Sequence, residues 1–243
     1  MGKHKKTRIL FLDILTGDAK IRNERHKKVY RGKTYSEIMR KAFGLKKDEW
    51  VLVDASGGKF PKDIAGFRAV VIGGSLEDPL PGTEKPWVKK TYAVIKQVIK
   101  NRIPILGICG GLQFTVRALG GKVILNPKGR EFGSIDVQLT RKGMNDPLFK
   151  GLSKKIIVAS SHTCMAANLK PGWKLLASSK LCRVQAIAIG DRIRLLQFHP
   201  EKTARMLKNA AQMKNLKVGQ IKNTSRAGKK ILQNFLKYFV LKQ

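Results

Sequence analysis

The chain has 243 residues, 42% of them hydrophobic and 7% aromatic, enough apolar material for one sizeable α/β core and too much for a largely disordered polymer. Its 50 Lys and Arg against 16 Asp and Glu give a formal net charge of +34, a field that draws polyanions and makes any nucleic-acid association steeply salt-dependent. Three cysteines with no CxxC pair exclude a disulfide scaffold and point to a reducing compartment, and no apolar run approaches the roughly 20 residues of a membrane span.

The amino end has a basic start and a short apolar run broken by Asp13. No small-residue cleavage site follows, and Lys6 breaks the myristoylation pattern. A cytoplasmic protein with no membrane association is therefore expected. Residues 8–12 read as a first strand, 35–43 have helical spacing, and 50–53 read as a second strand. The β-branched run 68–72 ends in Gly73-Gly74, a third strand feeding a tight loop. Residues 84–101 are amphipathic and helical, and 103–108 form a fourth apolar strand. Such alternation predicts a parallel sheet covered on both faces.

After a helix over 111–119 the pattern changes. Residues 123–125, 134–139, 156–160, 173–177, 184–189 and 193–198 read as successive strands with short turns. Helices are expected over 201–215 and 227–240, with a basic, Gly- and Asn-containing stretch near 214–225 as the expected site of a mobile insertion. The expected whole is one α/β domain over 1–243. It has a mostly parallel central sheet with helices on both faces, a small antiparallel sheet from the second half, and a basic helical C-terminal segment 202–243. Basic residues are dense at 3–8, at 22–31 and beyond Glu201, after which no acid occurs.

The fourth strand runs into Gly-Ile-Cys-Gly-Gly-Leu-Gln, residues 107–113. At a strand-to-helix turn, Gly107 and Gly111 relieve crowding while Cys109 is thrust outward. The helix N-terminus behind it favours thiolate over thiol. Far along the chain, Gln197-Phe198-His199-Pro200-Glu201 ends another apolar run. Residues two apart on a strand share a face, so His199 and Glu201 can project together and suit a relay in which the carboxylate holds the imidazole. Gly73-Gly74-Ser75 offers backbone N–H groups to an oxyanion. Taken singly, each has an ordinary reading: a core cysteine, a surface histidine beside a capping glutamate, a common GG loop. Cys164 and Cys182 read as buried residues, and the set lacks zinc-ligand spacing, so no metal and no cofactor is expected.

Together these residues resemble the class I glutamine amidotransferases. GICGGLQ matches that family's G-x-C-x-G-x-Q elbow and QFHPE its His/Glu motif. The resemblance extends through ALGGKVILNPKGREFG, CRVQAIAIGDRIRLLQFHPE and AGKKILQNFLKYF, in the family's order, and is nearest to standalone proteins similar to the amidotransferase domain of GMP synthase. It implies a flavodoxin-like fold, Cys109 as nucleophile, His199 as general base and acid, and Glu201 as its orienting partner. It further implies Gly74 and Gly110 as oxyanion-hole donors. Gln113 and the Ser161-His162-Thr163 segment would serve substrate binding, His162 by shaping its loop. Three positions depart from the family pattern and bear on recognition of free glutamine. Thr163-Cys164 follow the loop histidine where members often have Gly or Tyr and then Asp, and Leu112 stands where His or Met is common.

The implied activity is hydrolysis of the glutamine side-chain amide to glutamate and ammonia, with a separate synthetase subunit as the ammonia acceptor. Two alternatives remain open at this stage: a γ-glutamyl peptidase acting on glutathione-like compounds, and a basic nucleic-acid-associated protein that keeps the fold.

Overall fold

The first strand, β1 (Ile9–Asp13), is buried at every position, as a strand covered on both faces must be. The computed structural model describes residues 8–61 and 63–242. After β1 come α1 (Ala19–Lys28), α2 (Tyr35–Phe43), β2 (Trp50–Asp54), β3 (Ala69–Ile72), α3 (Pro86–Lys100), β4 (Ile105–Ile108) and α4 (Gly110–Ala118). The second half contains β5 (Val123–Leu125), β6 (Glu131–Leu139), α5 (Arg141–Met144), β7 (Lys155–His162) and β8 (Cys164–Ala166). It continues with β9 (Lys174–Ser178), β10 (Ala186–Ile189), β11 (Ile193–Leu196), α6 (Ala204–Met213) and α7 (Ser225–Phe235). The basic run 3–8 lies outside the described residues, Arg8 excepted.

Nine strands form one mixed sheet in the order β2-β1-β3-β4-β11-β10-β9-β6-β7. The pairs from β2 to β11 are parallel and those from β11 to β7 antiparallel. A separate antiparallel pair joins β5 to β8. Side chains alternate across the sheet. Phe11, Val71, Leu106 and Leu196 pack with Met39 and Phe43 of α2 and Phe235 of α7. Leu12, Ile72, Ile105 and Leu195 pack on the opposite face with Ile95 of α3 and Phe114 of α4. This is the α/β architecture expected, with helices on both faces.

Three local outcomes differ from the sequence reading. The stretch read as the last of several successive strands pairs on one side antiparallel with β10 and on the other parallel with β4, as β11, with Leu195 opposite Gly107. All four of its residues are buried, which fits a central position and not an edge. The three-residue β8 and the helix α1 were not foreseen. Helix α1 has almost no apolar face, since Ile21 is its one aliphatic residue beyond Ala19. It is held instead by the Asp18 cap and by Arg22, whose guanidinium pairs with Asp13 at 3.3 Å and Asp54 at 3.1 Å. The 214–225 stretch is irregular between α6 and α7 and lies against β6, where the Lys222 N–H donates to Ser134 Oγ at 2.9 Å.

Candidate active site

Strand β4 runs out at Ile108, and α4 starts at Gly110, leaving Cys109 as the single residue of the turn. Its backbone has φ +52° and ψ −100°, a conformation L-residues rarely adopt. The Cys109 N–H donates to the Leu196 carbonyl at 2.7 Å, so the parallel neighbour β11 fixes the turn. The glycines that follow answer to crowding. A Cβ on Gly110 would come within 2.5 Å of Ser75, and one on Gly111 would run into the Ile72 carbonyl oxygen. Helix α4 thus leaves the elbow pressed against the loop after β3. The Gly111 N–H donates to the Gly73 carbonyl at 2.9 Å and locks the two together.

Beyond the end of β11, the His199 N–H donates to the Ala159 carbonyl of β7 at 2.8 Å, an isolated bridge that extends the chain through His199. The chain then turns at Pro200 and Glu201, with the Lys202 N–H 3.4 Å from the His199 carbonyl, so a turn and not the strand alternation expected from sequence brings the His199 Nδ1 to 2.8 Å from Glu201 Oε1. Because Nδ1 faces a carboxylate, it carries the proton, which leaves Nε2 as the basic nitrogen. The Glu201 Oε1 also accepts the Tyr35 hydroxyl at 3.1 Å, and that hydroxyl oxygen accepts the Gly74 N–H at 2.8 Å. Burial and the neighbouring Glu201 push the Tyr35 phenol well above its usual range, which keeps it a donor.

Cys109 and His199 line one cavity of about 200 Å³ at the carboxyl ends of the parallel strands. Gln113, Ser161, His162 and Thr163 line it too, so six of the nine residues proposed from sequence share its wall. Glu201 stands behind His199. Gly110 follows Cys109 directly, and Gly74 packs on the imidazole, where an added Cβ would lie 2.8 Å from His199 Cε1. Gln113 is anchored through its Nε2, which donates to the Cys164 carbonyl at 2.9 Å. His162 is pinned between the Cys164 carbonyl and Glu131 Oε2, each 3.0 Å from a ring nitrogen.

Electrostatics set the resting state. Burial pushes the Cys109 thiol up to about 11, with Lys202 pulling it down and Glu201 pushing it further up. This outweighs the help expected from the helix N-terminus. Burial pulls the His199 imidazole down to about 4; Lys202 adds to the effect and Glu201 opposes it. For Glu201, burial favours the protonated form, but His199 and Lys202 outweigh it and hold the carboxyl below its ordinary range. The resting pair is therefore a neutral thiol and a neutral imidazole, with an ionised carboxylate behind them.

Several residues of this site carried no readable signal. Tyr35 sits in α2 and reads as an apolar helix residue. Gln197, whose Nε2 lies 3.7 Å from the Cys109 sulfur, was quoted only as part of the QFHPE run. Glu131 is the hub of a buried cluster, accepting from Ser179 and Gln185 at 2.5 Å each as well as facing His162. Burial favours its protonated form, yet His162, Ser179 and Gln185 together hold its carboxyl below the usual range. Arg25, Tyr30, Arg130, Lys202 and Lys214 complete much of the cavity wall. Among the described residues no three His, Cys, Asp or Glu side chains are grouped to hold a metal ion, and no helix is long and apolar enough to cross a membrane.

Comparison with known proteins gives a consistent picture. The family described as Glutamine amidotransferase class-I matches residues 53–217. A glutamine amidotransferase-like protein of Schizosaccharomyces pombe is 33% identical over 143 residues, 58% of this chain and 55% of the relative. Gamma-glutamyl peptidase 3 of Arabidopsis thaliana is 28% identical over 180 residues, 72% of this chain and 71% of the relative. A glutamine-hydrolysing GMP synthase of Caldanaerobacter subterraneus is 36% identical over 121 residues, 49% of this chain and 23% of the relative. The chain thus spans about half of the yeast relative and under a quarter of the synthase. In fold, it resembles a glutamine amidotransferase from Thermotoga maritima with a TM-score of 0.75 and 20% identity, over 98% of this chain and 100% of that one.

Proposed function

Because the chain belongs to the class-I glutamine amidotransferase family, we propose that it hydrolyses γ-glutamyl amide bonds through a thioester on Cys109, with the side-chain amide of glutamine as the simplest substrate. The observation that carries this reading is the convergence of Cys109 and the His199–Glu201 pair on one cavity. His199 Nε2 takes the thiol proton as the sulfur attacks the amide carbon, and Glu201 stabilises the imidazolium that forms. The Gly110 N–H stabilises the oxyanion. The Gly74 N–H joins it by turning from the Tyr35 hydroxyl that now holds it. The imidazolium then gives its proton to the departing nitrogen, which leaves as ammonia. A water deprotonated by His199 attacks the thioester carbon, releasing glutamate and restoring the thiol. The sum is glutamine plus water to glutamate plus ammonia. A synthetase, proposed as a separate subunit, is the acceptor of that ammonia.

Resting neutrality of the thiol does not oppose this chemistry. It assigns His199 the work of generating the thiolate when substrate is present, a contribution of about 10²–10⁴-fold.

A second reading keeps the mechanism and changes the leaving group to an amine, as in a γ-glutamyl peptide. It is favoured by the match to the Arabidopsis γ-glutamyl peptidase over similar shares of both chains. Purified protein should be offered glutamine and a γ-glutamyl peptide panel, with ammonia and amine release both measured. Labelling with a glutamine-analogue alkylator should then be mapped. Turnover with label on Cys109 is expected, and turnover with the label elsewhere overturns the assignment.

A further inference from the structure

Four basic side chains from four parts of the chain meet at the cavity that holds Cys109. Arg25 comes from α1, Arg130 from just before β6, Lys202 from just after Glu201, and Lys214 from the end of α6. Asp78 is the one carboxylate that lines this cavity among the described residues. Arg25 is 3% exposed and Lys202 is 2% exposed. None of the four basic groups forms an ion pair among the described residues, and Arg25 Nε reaches only the Tyr30 hydroxyl, at 3.4 Å. Their charges act on one another. Burial and the Arg25 charge bring the Lys202 ammonium down to about 7 although Glu201 opposes them, and burial with Arg25 and Arg130 lowers Lys214 although Asp78 opposes them. Buried like charges without counter-ions are unfavourable unless something else in the pocket offsets them.

Glutamine offsets little of this. A γ-glutamyl unit brings one ammonium and one carboxylate. Matched against Asp78 and one of the cations, it leaves three basic groups facing the cavity with no partner. We propose that Arg25, Arg130, Lys202 and Lys214 form an anion subsite for the leaving side of the substrate. The protein then takes γ-glutamyl amino acids or peptides whose departing amine carries a free carboxylate in preference to the unsubstituted amide. This rests on the γ-glutamyl hydrolase reading above. An anion seated there supplies a counter-charge to Arg25 and adds to the pull of Glu201 on Lys202, and it holds the departing nitrogen close to His199, which must protonate it.

Two measurements test it. The first compares kcat/KM for γ-glutamyl-alanine and γ-glutamyl-alaninamide, which differ by one carboxylate. The acid is expected to be preferred about tenfold. The preference should shrink severalfold in Lys214→Met and Arg130→Met, both at positions open enough to solvent for the fold to survive. Equal rates for acid and amide, or a preference that both variants keep, overturn the subsite.

The second measurement needs no turnover. Alkylation of Cys109 by iodoacetate and by iodoacetamide is timed, and the ratio is compared with that of N-acetylcysteine. The ratio is expected to be about tenfold higher for Cys109, and to fall with added salt and in Lys214→Met. A ratio equal to that of the free thiol overturns the subsite. A raised ratio with no cleavage of any γ-glutamyl compound sinks the hydrolase reading and the substrate preference, and leaves a general anion site, which added inorganic phosphate should protect. Cleavage with no charge preference keeps the hydrolase and sinks the subsite.

Discussion

The Tyr35 hydroxyl donates to Glu201 Oε1 at 3.1 Å across 166 positions of sequence. The Tyr35 hydroxyl oxygen in turn accepts the Gly74 N–H, so one phenol ties the carboxylate behind His199 to the loop beside Cys109. The ring is fixed by stacking on Tyr30 at 5.5 Å and by an edge contact with Phe11 at 5.8 Å. Tyr35 lies outside the residues matched by the family, which begin at 53. In the proposed mechanism it would be a positioning residue, supplied by the N-terminal part of this chain.

Tyr35→Phe keeps the ring contacts and removes only the hydroxyl. A hydrogen bond to a charged acceptor is worth about 1.5–3 kcal/mol, so kcat is expected to fall about 10- to 100-fold with KM little changed. The acid limb of the pH–kcat profile should move as well, because Glu201 loses a donor and shifts its influence on His199. A variant with unchanged kcat and an unchanged profile shows that the phenol only fills space.

Cys109 should respond to substitution in a way that reveals its backbone. Cys109→Ala and Cys109→Gly both remove the proposed nucleophile, and turnover should vanish in each. At φ +52° glycine is far better accommodated than alanine, so Cys109→Gly is expected to be the more stable by about 1 kcal/mol or more. Paired urea melts decide it. Equal midpoints mean the elbow stores no strain.

The histidine gives stability a definite pH dependence. His199 titrates near 4 in the folded protein against an ordinary 6.5. Between those values the unfolded chain binds the extra proton, so stability falls as pH drops from about 6.5 to 4 and this contribution is flat below. Lys202 acts over another window. With its pKa near 7 instead of 10.5, it makes stability rise as pH goes from about 7 to 10.5. His199→Gln should flatten the first slope and Lys202→Met the second, read from denaturant midpoints across pH. Slopes that survive both changes contradict the burial argument.

Gly228 of α7 lies against the peptide between the two polar residues of the HPE turn. A Cβ there would collide with the Pro200 carbonyl oxygen. Gly228→Ala is thus expected to lose about 1–3 kcal/mol from overpacking and to lower kcat by shifting His199 against Cys109. Full activity at unchanged stability would mean that α7 yields easily.

Much of this arrangement was legible in the sequence. The elbow was readable because the spacing of Gly107, Cys109, Gly110 and Gly111 reflects close contacts around the turn. The HPE pairing was expected from strand alternation, but a turn over Pro200 and Glu201 makes it. Helix α2 was readable from its apolar spacing, closed by a Thr34–Glu37 capping box and Gly44. Helix α1 was not: its residues are nearly all polar, so no period marks it, and Arg25 stood out only as part of the basic stretch 22–31. Glu131 and Tyr35 gave no sign because their partners lie far along the chain. The neighbours of β11 were hidden for a related reason, since a short strand of sequence Ile-Arg-Leu-Leu does not say which strand it joins.

Strand β11 sits between β4 and β10 in the middle of the sheet, and its Leu196 carbonyl holds the Cys109 N–H. During translation the cysteine leaves the ribosome long before that strand does. A nascent chain lacking β11 has neither the elbow's anchor nor the imidazole, and its thiol is free of the burial that lifts Cys109 in the folded protein. Vectorial synthesis therefore leaves this turn unset until the sheet closes around its last central strand.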